Sequence, residues 1–429
     1  PTYELTEHEK GSLKYRRSLV AVKPIAEGEL FTEENVRSIR PAIGIKPKYY
    51  KALLGKTAKK AYRFGEPIGQ LEVEMIIFRA DANETVATGH LMRCMTIADA
   101  CREKGVECEF WLAEDKETER LRQAGFSYRI LGSQWDDLEK ELPFLERQLD
   151  DLDRQGKKVT YLVADSYQAT PHYLGKLNDR IPVLYIDDMR MQIYPVAAVL
   201  QYIPVRAENS LNIEERSEQN MPVYLRGFRY APLRKEFLKS HGEQREKSIL
   251  ITTGGTDTYN IAGRLLQECL DKDVFQEYRF HVIVGNMNSH EAELRRLSER
   301  DKRICIHKNI SNMSDYMHSS ELAVSASGTT LLELCACGIP TICFSFADNQ
   351  MAFATSMDNY GAMCYVGDAR EEDNIERIIC MRLTELAGQE KLRKRQVTCM
   401  EALVDGRGAE RIADFLICGN LNECDDIHK

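Results

Sequence analysis

The sequence has 429 residues, 43% of them hydrophobic and 29% charged, with a formal net charge of -9. That length predicts two or three domains at ~150 residues each, and the composition is ordinary for a globular chain. The acid excess argues against a nonspecific nucleic-acid or anionic-membrane surface. No run nears the ~18 uninterrupted apolar residues of a membrane span.

No signal peptide is read at the start, and the opening Pro1 suggests a processed or excised piece. Thirteen cysteines, an odd number without a CxxC pair, read as reduced thiols of a cytoplasmic protein, not as disulfides or a zinc site. Cys335 and Cys337 suit core packing. No metal and no cofactor is expected.

Residues 1–73 read as a small, mostly β module. A short strand is expected at Arg16–Val22, with a Gly28 turn inside Ile25–Leu30 and a further short element at Val36–Arg40. Thr32 is placed to cap a brief helix with Glu33 and Glu34 in its first turn. Pro41, Gly44 and Pro47 then precede a short helix running through Leu54 to Gly55, and Arg63–Gly69 closes the module.

From Met75 the pattern becomes strands alternating with helices, which predicts a doubly wound parallel sheet. Strand-like runs are Met75–Phe78, Glu107–Leu112, Val159–Ala164 and Val183–Ile186, with helices at Leu91–Lys104, Lys116–Ala124 and Trp135–Gln155. A second cycle takes Ser248–Thr253, a helix over Asn260–Leu270, then Phe280–Val284, Ile304–Ile306, Leu322–Val324, Thr341–Phe344 and Met363–Val366. Two Rossmann-like halves follow, joined near Arg229–Lys247, with the active site expected in a cleft at the carboxyl ends of the strands.

Three stretches carry chemistry. In Arg79–Cys94, RADANETVATGHLMRC, a strand gives way to a loop with Gly89 at its tight point and a helix beginning near His90. A helix start offers N–H groups and a positive dipole end to an anion, and an imidazole there suits general acid or base work. The same histidine would equally serve as a helix cap.

Thr252–Asp257, TTGGTD, is a strand-to-helix turn whose two glycines let the backbone approach a diphosphate; a plain tight turn accounts for it as well. Ser325–Glu333 places small residues and hydroxyls at a helix start, with Glu333 positioned to accept both hydroxyls of a ribose. Asp348, Asn349 and Gln350 follow in a loop able to bond sugar hydroxyls or amides. Asp187 and Asp188 suggest only polar capping.

Two resemblances sharpen this. RRSLVAVKPIAEGELFTEENVRSIRPAIGIKPKYYKALLGKTAKKAYRFGEPI is similar to the antifreeze-like (SAF, β-clip) domain that closes sialic-acid-type synthases. The resemblance implies that Arg40 would touch a neighbouring subunit's acyl-amino sugar. These 429 residues encode no eight-unit β/α barrel and no metal site beside it. Synthase activity is therefore not expected in this chain, and residues 1–73 read as a vestigial or docking module for a nonulosonic acid synthase barrel.

SASGTTLLELCACGIPTICFSFADNQ is similar to the nucleotide-sugar half of GT-B glycosyltransferases, especially the peptidoglycan transferase that uses UDP-N-acetylglucosamine. Joined with RADANETVATGHLMRC, ADSY, YIDD and TTGGTD, it resembles the UDP-2,4-diacetamido-2,4,6-trideoxy-beta-L-altropyranose hydrolase family of pseudaminic acid biosynthesis over residues 75–415. That implies an α/β, GT-B fold of two Rossmann-like domains, 75–235 and 236–415, behind the 1–73 SAF domain and before a polar tail, 416–429. It also implies metal-independent cleavage of the anomeric C–O bond by water, with inversion, releasing UDP and free sugar.

Carried over by position, His90 would be the base. Arg79, Asp81, Gly89, Arg93, Asp165, Tyr167, Asn349 and Gln350 would meet the UDP-diacetamido-trideoxyhexose. Gly254, Gly255, Thr256, Ser327, Gly328, Thr329 and Thr330 would hold the diphosphate, and Glu333 the ribose. The approach to the histidine, Asn83–Thr88, departs from the compact Gly-rich form of that family. A GT-B transferase with an organic acceptor, and a non-catalytic partner of a synthase, are the other readings.

Overall fold

The computed structural model describes residues 17–40, 45, 47–58, 60–68, 73–83, 86, 88–188, 192–203, 221–238, 245–310 and 312–418, with 48, 52, 73 and 349 in backbone only. The expectations on Pro1, the Pro41–Gly44 turn, Gly69, part of the Asn83–Thr88 loop, residues 239–244 of the linker and the tail beyond Cys418 lie outside the described residues.

The N-terminal module pairs β1 (Ser18–Ala21) with β2 (Val36–Ile39) antiparallel, Leu19 opposite Ser38. Isolated bridges Val20↔Pro67, Ile25↔Tyr62 and Leu30↔Thr57 fold the remaining chain around them. Helix α1 (Tyr50–Leu53) follows one 3₁₀ turn. Leu19, Ile25, Phe31, Val36, Leu53 and Ile68 make the core of the module. The helix expected after Thr32 is instead a turn. Asn35 Oδ1 accepts from the Thr32 N–H at 2.7 Å while its Nδ2 donates to the Leu30 carbonyl at 2.9 Å. A side chain that bonds nearby backbone in this way competes with helix formation.

Beyond it the chain alternates as its hydrophobic pattern requires. In order come β3 (Val73–Ala80), α2 (Gly89–Glu103), β4 (Glu107–Leu112), α3 (Thr118–Gln123), β5 (Ser127–Ile130), α4 (Leu142–Arg154), β6 (Lys157–Asp165), α5 (Pro171–Asn178), β7 (Val183–Ile186), β8 (Ala198–Gln201) and β9 (Val223–Arg226). The sheet order is β5-β4-β3-β6-β7-β8-β9. Its β3–β4, β3–β6, β4–β5, β6–β7 and β8–β9 pairs are parallel.

The second cycle is β10 (Glu246–Thr252), α6 (Ile261–Asp271), β11 (Arg279–Val284), α7 (Glu291–Arg300), β12 (Ile304–Lys308), α8 (Met313–Ser319), β13 (Ser320–Ala326), α9 (Thr330–Cys337), β14 (Thr341–Ser345), α10 (Asp348–Asn359) and β15 (Cys364–Asp368). Then follow α11 (Ile375–Gly388), α12 (Glu390–Leu403) and α13 (Gly408–Cys418). This sheet is wholly parallel, in the order β12-β11-β10-β13-β14-β15. Ile249, Ile251, Val282, Val324, Ile342 and Phe344 form part of its apolar face. No described helix is long and apolar enough to cross a membrane.

Each sheet reverses its strand order at one place, between β3 and β6 in the first and between β10 and β13 in the second. Such a switch point opens a crevice outside the carboxyl ends of its two strands. The loop before His90 leaves β3 and Asp165 ends β6; TTGGTD leaves β10 and SASGTT leaves β13. The chemistry-bearing stretches thus sit where parallel topology makes room for ligands.

The turn after β11 is pressed against the Gly254–Gly255 turn. A Cβ on Gly285 would lie 2.3 Å from the Gly255 carbonyl oxygen and 2.6 Å from that of Gly254. Gly285→Ala must therefore displace backbone, and we expect a loss of about 1–3 kcal/mol in urea unfolding. An unchanged midpoint would show that the two turns separate freely.

Candidate functional site

The N-terminal cluster is built on the last residues of β3 and β6. Arg79, in a strand buried on both faces, is 1% exposed. Its Nε and Nη2 donate to the two oxygens of Glu141 at 2.7 and 3.0 Å, and its Nη1 to Asp81 at 2.6 Å. Glu141 also accepts from the hydroxyls of Tyr173 and Ser133, both at 2.7 Å. Asp81 accepts from the Ala113 N–H at 2.8 Å. Burial works against the Arg79 charge, but Asp81 and Glu141 hold it on. Arg79 and Asp81, expected to meet substrate, are thus turned into the protein, where they brace the start of the loop.

Gly89 opens α2 without a left-handed φ and with open space where a Cβ would stand. It is a helix start and not the tight point of a loop expected of it. His90 and Arg93, one turn apart, both reach Asp165. His90 Nδ1 lies 2.5 Å from Asp165 Oδ1, while Arg93 Nε and Nη2 donate to Oδ2 and Oδ1 at 2.5 and 2.6 Å. The Cys94 thiol approaches Oδ2 at 3.6 Å.

Burial raises the Asp165 carboxyl, but the Arg93 and His90 contacts more than offset it and bring it to about 2. A carboxylate this close fixes the imidazole tautomer. In the neutral imidazole the proton sits on Nδ1, toward Asp165, which leaves the lone pair on Nε2. Nε2 has no partner among the described residues. The Tyr167 ring meets His90 edge-on, with centroids 4.6 Å apart, and remains 54% exposed. A buried carboxylate, an oriented imidazole and an exposed aromatic ring can together hold and activate a water beside a sugar.

In the C-terminal sheet, Gly254 takes a left-handed φ of 80° and the Gly255 carbonyl accepts from the Met287 N–H at 3.2 Å. Thr256 Oγ1 lies 3.2 Å from the Thr258 hydroxyl. Asp257 closes the turn by accepting from the Ile261 and Ala262 N–H groups at 2.8 and 3.2 Å, which caps α6. Burial pushes its carboxyl up against those two bonds.

Ser327 is buried and its polar groups are committed. Its N–H donates to the Phe344 carbonyl at 2.7 Å, and its hydroxyl to the Gln350 carbonyl at 3.1 Å. Among the described residues no acceptor takes the N–H groups of Gly328, Thr329 or Thr330, which open α9. Such a helix start can receive an anion. Glu333 lies in the first turn of that helix, 4.0 Å from Arg234 Nη2. Burial, eased by Arg234 and reinforced by Glu236, pushes its carboxyl up to about 7.

The expected loop at Asp348–Gln350 is the first turn of α10. Gln350 Oε1 accepts from the Phe346 N–H at 3.0 Å, and Asp348 pairs with Arg370 at 2.6 Å. Both side chains stabilise the helix start, where a capping glutamine and a first-turn acid are favourable. Asp187, seen only as a cap, is buried and accepts from Gln201 Nε2 at 2.9 Å.

Sequence reasoning missed Glu141, 62 residues from Arg79 on a 3₁₀ turn. It also missed Arg234 beside Glu333 and Arg370, which ties Asp348 to Asp368. None belongs to a local motif; only a charge at a strand end that needed a partner could have signalled them.

The SAF domain family matches residues 16–74, and the glycosyltransferase family 28 C-terminal domain matches residues 249–400. An uncharacterized protein of Methanocaldococcus jannaschii is 26% identical over 274 residues, 61% of this chain and 54% of that protein. The pseudaminic acid synthase of Campylobacter jejuni is 52% identical over 56 residues, 13% of this chain and 16% of the synthase. The chain thus spans about half, or much less, of these relatives' lengths. The crystal structure of MurG from Acinetobacter baumannii superposes with a TM-score of 0.55 at 14% identity, covering 80% of this chain and 99% of that one. That likeness is one of fold: an α/β, GT-B architecture of two Rossmann-like sheets, here behind a small SAF domain.

The Asp165 cluster makes a stability prediction. Its carboxyl lies below the ordinary 3.8, at about 2, so its contribution is present in full above pH 4 and is lost as pH falls toward 2. One such shift is worth about 2 kcal/mol. Urea unfolding between pH 6 and 2 should show an acid loss of that size that is flattened in Asp165→Asn. That variant should also be destabilised by about 3 kcal/mol at neutral pH, because Arg93 loses its buried counter-charge. An equal acid limb in both proteins would remove Asp165 as its source.

Proposed function

We propose that this chain hydrolyses a UDP-linked 2,4-diacetamido-2,4,6-trideoxyhexose at the anomeric C–O bond, releasing UDP and free sugar for nonulosonic acid synthesis. The observation that carries the reading is the His90–Asp165 contact of 2.5 Å at the switch point of the first sheet, with Nε2 left to act as base. In this reading Nε2 takes a proton from water as the water oxygen bonds to the anomeric carbon and the UDP oxygen leaves with the bonding pair. Asp165 stabilises the imidazolium, and Arg93 keeps Asp165 ionised. Tyr167 lies against the sugar.

Gly254, Gly255, Thr256 and the N–H groups at the start of α9 receive the diphosphate, where a fixed positive dipole end lowers the cost of the developing charge. Glu333 takes the ribose. Direct displacement by one water inverts the anomeric centre, and no second carboxylate of a covalent route is invoked. The 52% identity of the N-terminal region to a pseudaminic acid synthase supports a place beside such a synthase, with residues 1–73 as the docking module.

A transferase that passes the same sugar to an organic acceptor is favoured by one observation, the match of residues 249–400 to a glycosyltransferase domain. The donor half cannot distinguish water from an alcohol.

The experiment is UDP release from UDP-diacetamido-trideoxyhexoses without acceptor and with EDTA, followed by proton NMR. The expected result is UDP with free sugar that first appears as the inverted anomer. His90→Ala should keep UDP binding and lose turnover by ~10²-fold or more. Tight binding without release would move the assignment to a transferase or to a binding partner of a synthase.

A further inference from the structure

Glu333 has a cation in reach that is itself held in place. Arg234 Nη2 lies 4.0 Å from Glu333, while its Nη1 is 2.9 Å from Glu236 and its guanidinium stands 4.9 Å over the Phe237 ring. Phe237 is fully buried. The segment carrying these residues is tied to the helices on either side. His318 Nε2, at the end of α8, bonds the Glu236 carbonyl at 2.9 Å, and the Cys337 thiol of α9 donates to the Phe237 carbonyl at 3.4 Å.

The charged and titratable groups around Glu333 can be named element by element. The 234–237 segment presents Arg234 and Glu236; α9 itself carries Cys337 one turn on, with His318 of α8 at 3.9 Å behind that thiol. Helix α12 also packs on α9, but its Arg393 faces Glu321 and its Gln396 bonds Thr341. Arg234 is therefore the cation that bears on Glu333 among the described residues.

A ribose presents two neighbouring hydroxyl donors, and only an ionised carboxylate offers an acceptor oxygen to each. We propose that Arg234 is a positioning residue for nucleotide-sugar binding, a counter-charge anchored by Glu236 and Phe237 that keeps Glu333 ionised to accept both ribose hydroxyls. This rests on the reading of Glu333 given above. Burial alone opposes that ionisation and Glu236 adds to the opposition, which Arg234 counters. Arg234 acts through Glu333 and need not touch the ligand.

The test is calorimetric titration of the full chain with UDP-N-acetylglucosamine, whose diphosphate diester has no proton to lose near neutrality. In the wild type, affinity should rise with pH through about 7 and then level off. In Arg234→Gln the midpoint should move up by about one pH unit, the scale of losing one nearby opposite charge, with the high-pH plateau within about threefold of wild type. Arg234→Lys should return the midpoint, and Glu333→Gln should give a flat profile. A wild-type midpoint in Arg234→Gln, or an equal loss at every pH, would overturn the proposal, the second by making Arg234 a direct ligand contact. A wild type that binds no UDP-sugar would instead overturn the reading of function itself. Circular dichroism of each variant separates these results from misfolding.

Discussion

The first sheet's site depends on one buried carboxylate. Asp165 ends a strand whose last four residues are buried, and an isolated anion there would be untenable. It is held by a two-pronged guanidinium from Arg93 and by the His90 imidazole, both delivered from the first turns of one helix. The spacing follows from helix geometry, since residues three apart share a face. Because Arg93 carries the counter-charge, Asp165 stays ionised and the imidazole is left oriented.

A similar logic shapes the second sheet in a different material. There the turns proposed to meet the nucleotide have their own polar groups mostly satisfied internally. Asp257 caps α6, Ser327 bonds backbone at both ends, and Gln350 and Asp348 secure α10. What remains is backbone N–H at the start of α9 and one acid, Glu333, whose carboxyl burial pushes up while Arg234 draws it down. Side chains hold the frame, and peptide N–H groups at the helix start are left without an acceptor among the described residues. Gly285 is part of that frame, since the β11 turn approaches the Gly254–Gly255 turn closer than any side chain would permit.

Much of this was legible in the sequence where a signal is local. The strands Glu107–Leu112 and Val183–Ile186 appear as read, because their apolar runs end abruptly at polar or turn residues. The helix starting by His90 was legible for the same reason. Strands β5 and β9 were not, because SYRI and VYLR lack a run of apolar residues long enough to register, and β8, AVLQ, was passed over although it is apolar. At the site, the pairing of His90 with Asp165 joins residues 75 apart in the chain, and Arg79 with Glu141 residues 62 apart. Motifs named His90 and Asp165 but could not say that they touch. Nor could they say that Arg79 is spent on a buried pair, because burial depends on strands laid down later. The ADNQ segment was misread in form: the expected loop is the first turn of α10, with Gln350 and Asp348 securing its start.

The placement of the SAF domain constrains what it can do. It meets the N-terminal sheet at the starts of its strands. Tyr49 donates to Glu107 at 3.1 Å, Lys56 pairs with Glu74 at 3.7 Å, and a cavity of about 350 Å³ lined by Tyr49, Met75, Glu107 and Lys157 lies at the junction. Glu107 and Lys157 are the first residues of β4 and β6, whereas Asp165 is the last of β6. At ~3.3 Å per residue, the length of β6 sets these two ends about 26 Å apart. The strand starts belong to packing and the strand ends to ligands, the division that parallel sheets impose. A domain fixed at the starts is no lid over the His90 cluster of its own chain. Phe64 of the SAF domain stays exposed, and in the reaction proposed, access of water to His90 is set by elements at the other end of the strands.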